Sequence, residues 1–292
     1  MQGMIDLDKP KGVTSHDCVA AVRRLTGVKK VGHAGTLDPM ASGVLPICVG
    51  NATRIMQFLD DEKKEYICEM KLGVETDTLD TEGTVLRESE VTEEQLGRVK
   101  EVTESFKGDI MQVPPMYSAL KYKGKSLYKY AREGQKIEVK PRKVHIYDIK
   151  VVNIKCNYVT YKISCGRGTY VRSVCRDIGE TLGCGACMTA LERTLSAGLR
   201  IEDSISLEEL EKMSPEEIEQ VMYPAWYPLD MEHVSVSAQE ANSLIDGKKT
   251  RVAAEAGGDT VAVFEGDRFI GVCGNEGGSV LRPLKIFDTE KK

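Results

Sequence analysis

The chain has 292 residues, 41% of them hydrophobic and 29% charged, with a formal net charge of −5. That balance fits an ordinary soluble globular protein of one large domain or two smaller ones, and it does not advertise a nucleic-acid binder. No apolar run approaches the about 20 residues of a membrane-spanning helix, the first six residues lack the regions of a secretory signal, and nine cysteines without framework spacing point to free thiols in a reducing cytoplasm.

Residues 4–10 read as a short strand ending in the turn Lys9-Pro10-Lys11-Gly12. Thr14, Ser15, His16 and Asp17 offer N-cap groups for a helix that carries Val19, Val22 and Leu25 and stops near Gly27. A glycine-rich loop over residues 32–45 leads into the apolar run Val44-Leu45-Pro46-Ile47-Cys48-Val49. A strand is predicted over 65–72, with Tyr66, Cys68 and Met70 on one face. Residues 73–83, rich in Thr, Asp and Gly, read as a loop. Thr92 begins a helix with Glu93 and Glu94 near its positive end, running to about 104 or 105.

Pro114-Pro115 bars a helix. Patchy alternation over 143–161 suggests paired strands, another strand is predicted over 159–165, and Gly166-Arg167-Gly168 makes a turn. Val171, Val174, Ile178 and Leu182 form a helical stripe that Gly183 stops. Two short acidic helices are predicted from Ser206 and Ser214, then a linker over 223–228. From His233 onward the pattern is Gly-rich β, with strands at 261–264, 269–272 and 280–281.

Within the glycine loop, Gly32, Gly35 and Gly43 permit positive φ and close approach of another molecule. Pro39 pushes Asp38 towards extended backbone, so one carboxylate stands on a stiff turn beside His33. Such a turn suits a catalytic loop, and it equally fits an ordinary tight turn. Residues 121–143 hold nine basic side chains against Glu133 and Glu138, a local charge of +7 that leaves −12 on the rest of the chain. Lys121, Lys125, Arg132 and Arg142 lie in this stripe, with Tyr122, Tyr128 and Tyr130 interleaved. It reads either as a footprint for a polyanion with rings that stack on bases, or as a solvated surface hairpin or helix. Tyr66 suits a cleft or the core, and Arg172 an ion pair with Asp38 or an exposed helix face.

Cys184-Gly185-Ala186-Cys187 lacks the second close pair that a structural zinc site needs. There is no HxxxH pair, no Gly-x-Ser-x-Gly elbow, no phosphate-binding loop and no Gly-x-Gly-x-x-Gly. The expectation is chemistry on side chains alone, with no metal and no cofactor.

Taken in order, these stretches resemble one family, the TruB-type tRNA pseudouridine synthases, which act on uridine 55 of tRNA. The resemblance rests on Asp8-Lys9-Pro10-Lys11-Gly12-Val13-Thr14-Ser15, the loop 32–45, Asn51-Ala52-Thr53-Arg54, Lys64-Glu65-Tyr66, residues 112–121 with Leu127-Tyr128 and Ala131-Arg132-Glu133-Gly134, Gly166-Arg167-Gly168-Thr169-Tyr170-Val171-Arg172, and Leu191-Glu192-Arg193-Thr194. Arg167 stands where the family pattern has Lys, and the CxxC is outside that pattern.

The resemblance implies a mixed α/β (α+β) fold: a central, largely antiparallel sheet flanked by helices, plus a small C-terminal β domain. It implies a catalytic domain over 1–230 with a basic insertion at about 114–143, and a PUA-like RNA-binding domain over 231–292. Asp38 would be the nucleophile that starts breakage of the glycosidic bond, paired with Arg172. Tyr66 would stack on the flipped uracil and help remove the final proton, Tyr170 and Leu191 would line the pocket, and His33 would fill the gap left in the RNA. Lys121, Lys125, Arg132 and Arg142 would grip the T-arm of tRNA. The implied protein is a cytoplasmic monomer needing no membrane and no protein partner.

Overall fold

The computed structural model describes residues 1–59, 63–135 and 137–288. The chain begins with β1 (Gly3–Lys9), α1 (Ser15–Thr26), β2 (Val31–His33) and β3 (Ser42–Val49). Two 3₁₀ turns, Gly50–Arg54 and Met56–Phe58, precede β4 (Lys64–Leu72), the hairpin β5 (Val74–Thr76) and β6 (Val85–Glu88), α2 (Glu93–Glu104) and β7 (Gly108–Gln112). The basic segment forms β8 (Lys121–Tyr122), β9 (Lys125–Ser126) and α3 (Leu127–Arg132). Then come β10 (Arg142–Lys155), β11 (Tyr158–Cys165), α4 (Val171–Leu182), β12 (Ala186–Ser196), β13 (Leu199–Arg200), β14 (Ile205–Ser206), α5 (Leu207–Leu210) and α6 (Pro215–Gln220). The C-terminal part holds β15 (Glu232–Ser235), α7 (Ala238–Ile245), β16 (Thr250–Arg251), β17 (Thr260–Glu265), β18 (Arg268–Asn275) and β19 (Val280–Ile286). No helix among the described residues is long and apolar enough to cross a membrane.

Two compact units divide the chain. Met1–Asp38, Val44–Asp60 and Ala197–Lys292 form one, and Pro39–Gly43 with Asp61–Ser196 the other. In the first unit β3 is the spine. Leu45, Ile47 and Val49 pack with Ile5, Leu7, Cys18, Val19 and Val22, whereas Val44 and Cys48 join Met4, Ala52, Ile55, Phe264, Phe269 and Phe287. A strand buried on both faces reads as an unbroken apolar run rather than an alternation. Pro46 has no N–H to give, and its carbonyl accepts from the Ala34 N–H at 2.9 Å, extending the β2–β3 pairing.

Helix α1 is set by its own ends. Thr14 and Asp17 form a reciprocal capping box and Gly27 closes it in the left-handed conformation, where glycine carries no Cβ penalty. The C-terminal sheet has strand order β15-β17-β18-β19-β16. Asn51 donates to the Phe287 carbonyl at 3.3 Å and Arg54 to that of Ile286 at 3.1 Å, so the Asn-Ala-Thr-Arg motif ties the end of β19 to the N-terminal elements of its own unit.

The second unit is built on the antiparallel ladder β12-β4-β11-β10-β7. Cys175 of α4 lies with its sulfur 3.6 Å from that of Cys68 and 3.1 Å from the Tyr161 hydroxyl. Helix α4 therefore covers the face of the sheet that carries Tyr66, Cys68 and Tyr161. Burial pushes the Cys68 thiol and the Tyr161 hydroxyl well above their ordinary pKa values, so this layer stays uncharged. At the start of β3, Ser42 and Gly43 run parallel to Glu192 and Arg193. Gly43 has φ +101°, and a Cβ there would meet the Arg193 carbonyl oxygen at 2.2 Å; only glycine fits both demands.

Candidate active site

The first unit holds His33 and Asp38; the second holds Tyr66, Tyr170, Arg172, Leu191, Lys121, Lys125, Arg132 and Arg142. Asp38 lies half-buried in the loop between β2 and β3. That loop is pinned to α1: the Ser15 hydroxyl donates to the Leu37 carbonyl at 3.0 Å and accepts from the Leu37 N–H at 3.0 Å. His33 ends β2 and stands edge-on to His16, ring centroids 6.0 Å apart. Lys9 is fully buried and closes its own turn, donating to the carbonyls of Pro10 at 2.9 Å and Val13 at 2.6 Å.

In the second unit the register places Tyr66 opposite Arg193 and Cys68 opposite Leu191. Side chains two apart on a strand share a face, so Tyr66, Leu191 and Arg193 stand together on the side covered by α4. Tyr66 is 8% exposed and Leu191 9%. Both are therefore more deeply set than surface contacts.

Arg172, on the first turn of α4, is 5% exposed and is no surface residue. Its guanidinium donates from Nη1 to the Thr78 carbonyl at 2.9 Å and to Asp80 Oδ2 at 3.2 Å, and from Nη2 to the Tyr117 carbonyl at 2.8 Å. Asp80 is organised in turn: its Oδ1 accepts from the Thr78 hydroxyl at 2.6 Å and the Glu82 N–H at 3.1 Å. A fork that fixes five donors in a plane suits such convergent acceptors, and Lys would not replace it.

Tyr170 caps α4 by its backbone, and Gln112 grips both of its main-chain groups, accepting from the N–H at 2.8 Å and donating to the carbonyl at 3.2 Å. Val113 accepts from Ser173 at 2.9 Å and Tyr117 from Arg172. The root of the basic insertion is thus stitched to the helix turn that carries Arg172. Asp80 was hidden in a stretch that reads as a loop, and its partner is 92 residues away. The turn-forming residues Asp77, Thr78 and Asp80 signal a turn, but nothing local names the arginine.

Lys121 is exposed on the β8–β9 hairpin, Arg132 and Arg142 are exposed on α3 and β10, and Lys125 is half-buried. Lys136 lies outside the described residues. Lys125 pairs with Glu133 at 2.6 Å and sits 4.6 Å from the Tyr130 ring centroid; Arg132 lies 5.6 Å from that of Tyr128. The tyrosines are thus held by cation–π contacts within the insertion. A groove of about 360 Å³ lies beside Asp109, Lys143, His145, Tyr147 and Arg167. Among the described residues no group of three or more His, Cys, Asp and Glu could hold a metal ion.

Comparison with known proteins identifies the fold and the family. Chains of a Cbf5–Nop10–Gar1 complex and of the archaeal box H/ACA sRNP Nop10–Cbf5 complex superpose with TM-scores of 0.75 and 0.72, at 27% and 26% identity, covering 98% of this chain and 85% and 86% of theirs. Residues 23–171 match the N-terminal domain of the TruB family pseudouridylate synthases, and residues 172–231 the tRNA pseudouridylate synthase B C-terminal domain. Fold and matched domains define a pseudouridylate synthase, an isomerase. The chain belongs to the TruB family of these enzymes. It is 43% identical to tRNA pseudouridine synthase B of Clostridium tetani, over 93% of this chain and 95% of that protein. It is 38% identical to the Francisella philomiragia protein of the same name, over 99% and 96%.

Proposed function

We propose that the protein converts uridine 55 in the T-loop of tRNA to pseudouridine, without a cofactor. The observation that carries the substrate is the likeness, over nearly the whole chain, to relatives named tRNA pseudouridine synthase B. Asp38 is the nucleophile: the N1–C1′ bond of uridine breaks, the base rotates, C5 bonds to C1′, and C5 loses a proton while the freed N1 takes one up, so no atom is gained or lost overall. Attack at C6, attack at C1′ and a route through a sugar-proton abstraction all begin with an ionised carboxylate, and Arg172 favours that ion.

The target uridine is stacked in the folded T-loop, so it must be flipped out at a cost of a few kcal/mol. His33, a planar ring at a strand end, fills the vacated place. Tyr66 stacks on the base and assists the closing proton removal, with Tyr170 and Leu191 as pocket walls. Lys121, Lys125, Arg132 and Arg142 hold T-arm phosphates, which position the RNA while the shape of the loop supplies selectivity. We read residues 1–230 as the catalytic part, with the insertion at about 114–143, and residues 231–292 as a PUA-like module touching another part of the tRNA. The protein works as a monomer in the cytoplasm and helps tRNA fold when it opens and releases the T-loop.

The likeness to chains of H/ACA particles favours a second reading, an enzyme that works inside a larger particle. The basic insertion supports the stand-alone form, because it supplies an RNA grip of its own. Incubation with an unmodified tRNA transcript and no other RNA or protein, followed by mapping of pseudouridine at single-nucleotide resolution, separates the two. Product at position 55 supports the proposal; product only when a guide RNA or a further protein is added supports the second reading.

A further inference from the structure

The Ser15 side chain has a task that its place in a helix start does not require. Thr14 and Asp17 already cap α1 between them, with the Thr14 hydroxyl accepting from the Asp17 N–H at 3.1 Å and the Asp17 carboxylate accepting from the Thr14 N–H at 3.0 Å. The Ser15 hydroxyl turns instead to a residue 22 positions on and binds both main-chain groups of Leu37. Ser15 is 3% exposed and Leu37 4%, so neither hydrogen bond competes with bulk water. A buried main-chain group left without a partner is costly, and one hydroxyl, as donor and acceptor at once, satisfies two of them.

Asp38 follows Leu37 directly, and Pro39 follows Asp38. The proline restricts the backbone of Asp38 from one side; the clamp on Leu37 fixes it from the other. The clamp is itself rigid, because Cys18, Val19 and Val22 bury the same helix against β1 and β3.

We propose that Ser15 is a positioning residue for the reaction: it fixes the direction from which the Asp38 carboxylate meets the nucleotide. This rests on the reading of Asp38 as nucleophile. A reacting group displaced by about 1 Å can lose on the order of 100-fold in rate.

The test uses the full-length protein and unmodified tRNA transcript. Ser15→Ala, smaller than the residue it replaces, is compared with the parent and with Asp38→Asn for single-turnover rate at saturating enzyme and for tRNA Kd. The expected result is a rate lowered about 10- to 100-fold, with Kd and the circular-dichroism spectrum matching the parent. A parental rate in Ser15→Ala, with Asp38→Asn inactive, overturns the positioning role alone. An equal loss of rate and tRNA affinity also overturns it, since that marks general loosening. Activity retained by Asp38→Asn overturns the nucleophile reading beneath it.

Discussion

Arg172 and Asp80 form an ion pair of 3.2 Å in which both side chains are only 6% exposed. Two buried charges offset their desolvation only when their other polar atoms are bonded too, and here two carbonyls take further guanidinium donors while a hydroxyl and an N–H reach the second carboxylate oxygen. Removing Asp80 takes away the carboxylate that faces the Arg172 guanidinium and frees the Thr78 hydroxyl and Glu82 N–H that it holds. Asp80→Ala is expected to lower the urea-unfolding free energy by about 3 kcal/mol or more and to slow product formation, because Arg172 loses its anchor. Unchanged urea midpoint and rate would contradict that assignment.

The basic insertion predicts a steep salt dependence of tRNA binding. Lys121→Ala and Arg142→Ala should each flatten the plot of log affinity against log salt by about 0.7–0.9. Lys125 differs, since Glu133 neutralises it within the insertion. Glu133→Gln should therefore tighten binding by up to about fivefold at low salt, the scale of an exposed ion pair. Filter binding across salt concentrations reads both effects; a slope that none of these changes alters counts against the surface.

Buried thiols make stability fall in alkali. Burial pushes Cys48, Cys165 and Cys273 up to about 12 and Cys187 up to about 11. An unfolded thiol ionises near about 8.5. Below that pH both states hold their protons and the thiols leave stability unchanged. As pH rises from there towards 11–12, the unfolded chain releases protons that the folded chain keeps, so unfolding is favoured. Urea midpoints should be level from about pH 7 to 8 and decline through about pH 10. Below that decline, a thiol reagent should modify Cys156, the exposed cysteine, ahead of Cys184 and Cys187.

Gly43→Ala tests the contact between the start of β3 and Arg193. The added methyl would stand 2.2 Å from a carbonyl oxygen at a positive φ, a strain on the order of 3 kcal/mol or more. Thermal unfolding should shift down by several degrees; a neutral result would mean that the strand sits further from Arg193.

Elements with their own local signals were readable in the sequence. Helices α1 and α4 carry an apolar stripe and a glycine stop, and β4 alternates cleanly. Elements defined by distant partners were not. β2 is three residues inside a glycine-rich stretch and exists because β3 pairs with it. β12 was obscured by bulges between Met188 and Ala190 and between Arg193 and Leu195, and by Arg193, a charged residue only 1% exposed. Helix α7 hid in a Gly-rich β pattern although Ser237 and Glu240 form a capping box. Tyr66, Arg172 and the Asp38 loop stood out as motifs. Asp80 and the Ser15–Leu37 clamp did not, because the hydrogen bonds that give them meaning span 92 and 22 residues.

In the proposed mechanism the Asp38 carboxylate acts directly on an extruded uridine. Single-turnover assay of Asp38→Asn with unmodified tRNA tests this most directly, alongside a measurement of its tRNA Kd. The expected result is parental affinity with no pseudouridine at position 55; product at the parental rate from the amide variant would contradict a direct role for the carboxylate.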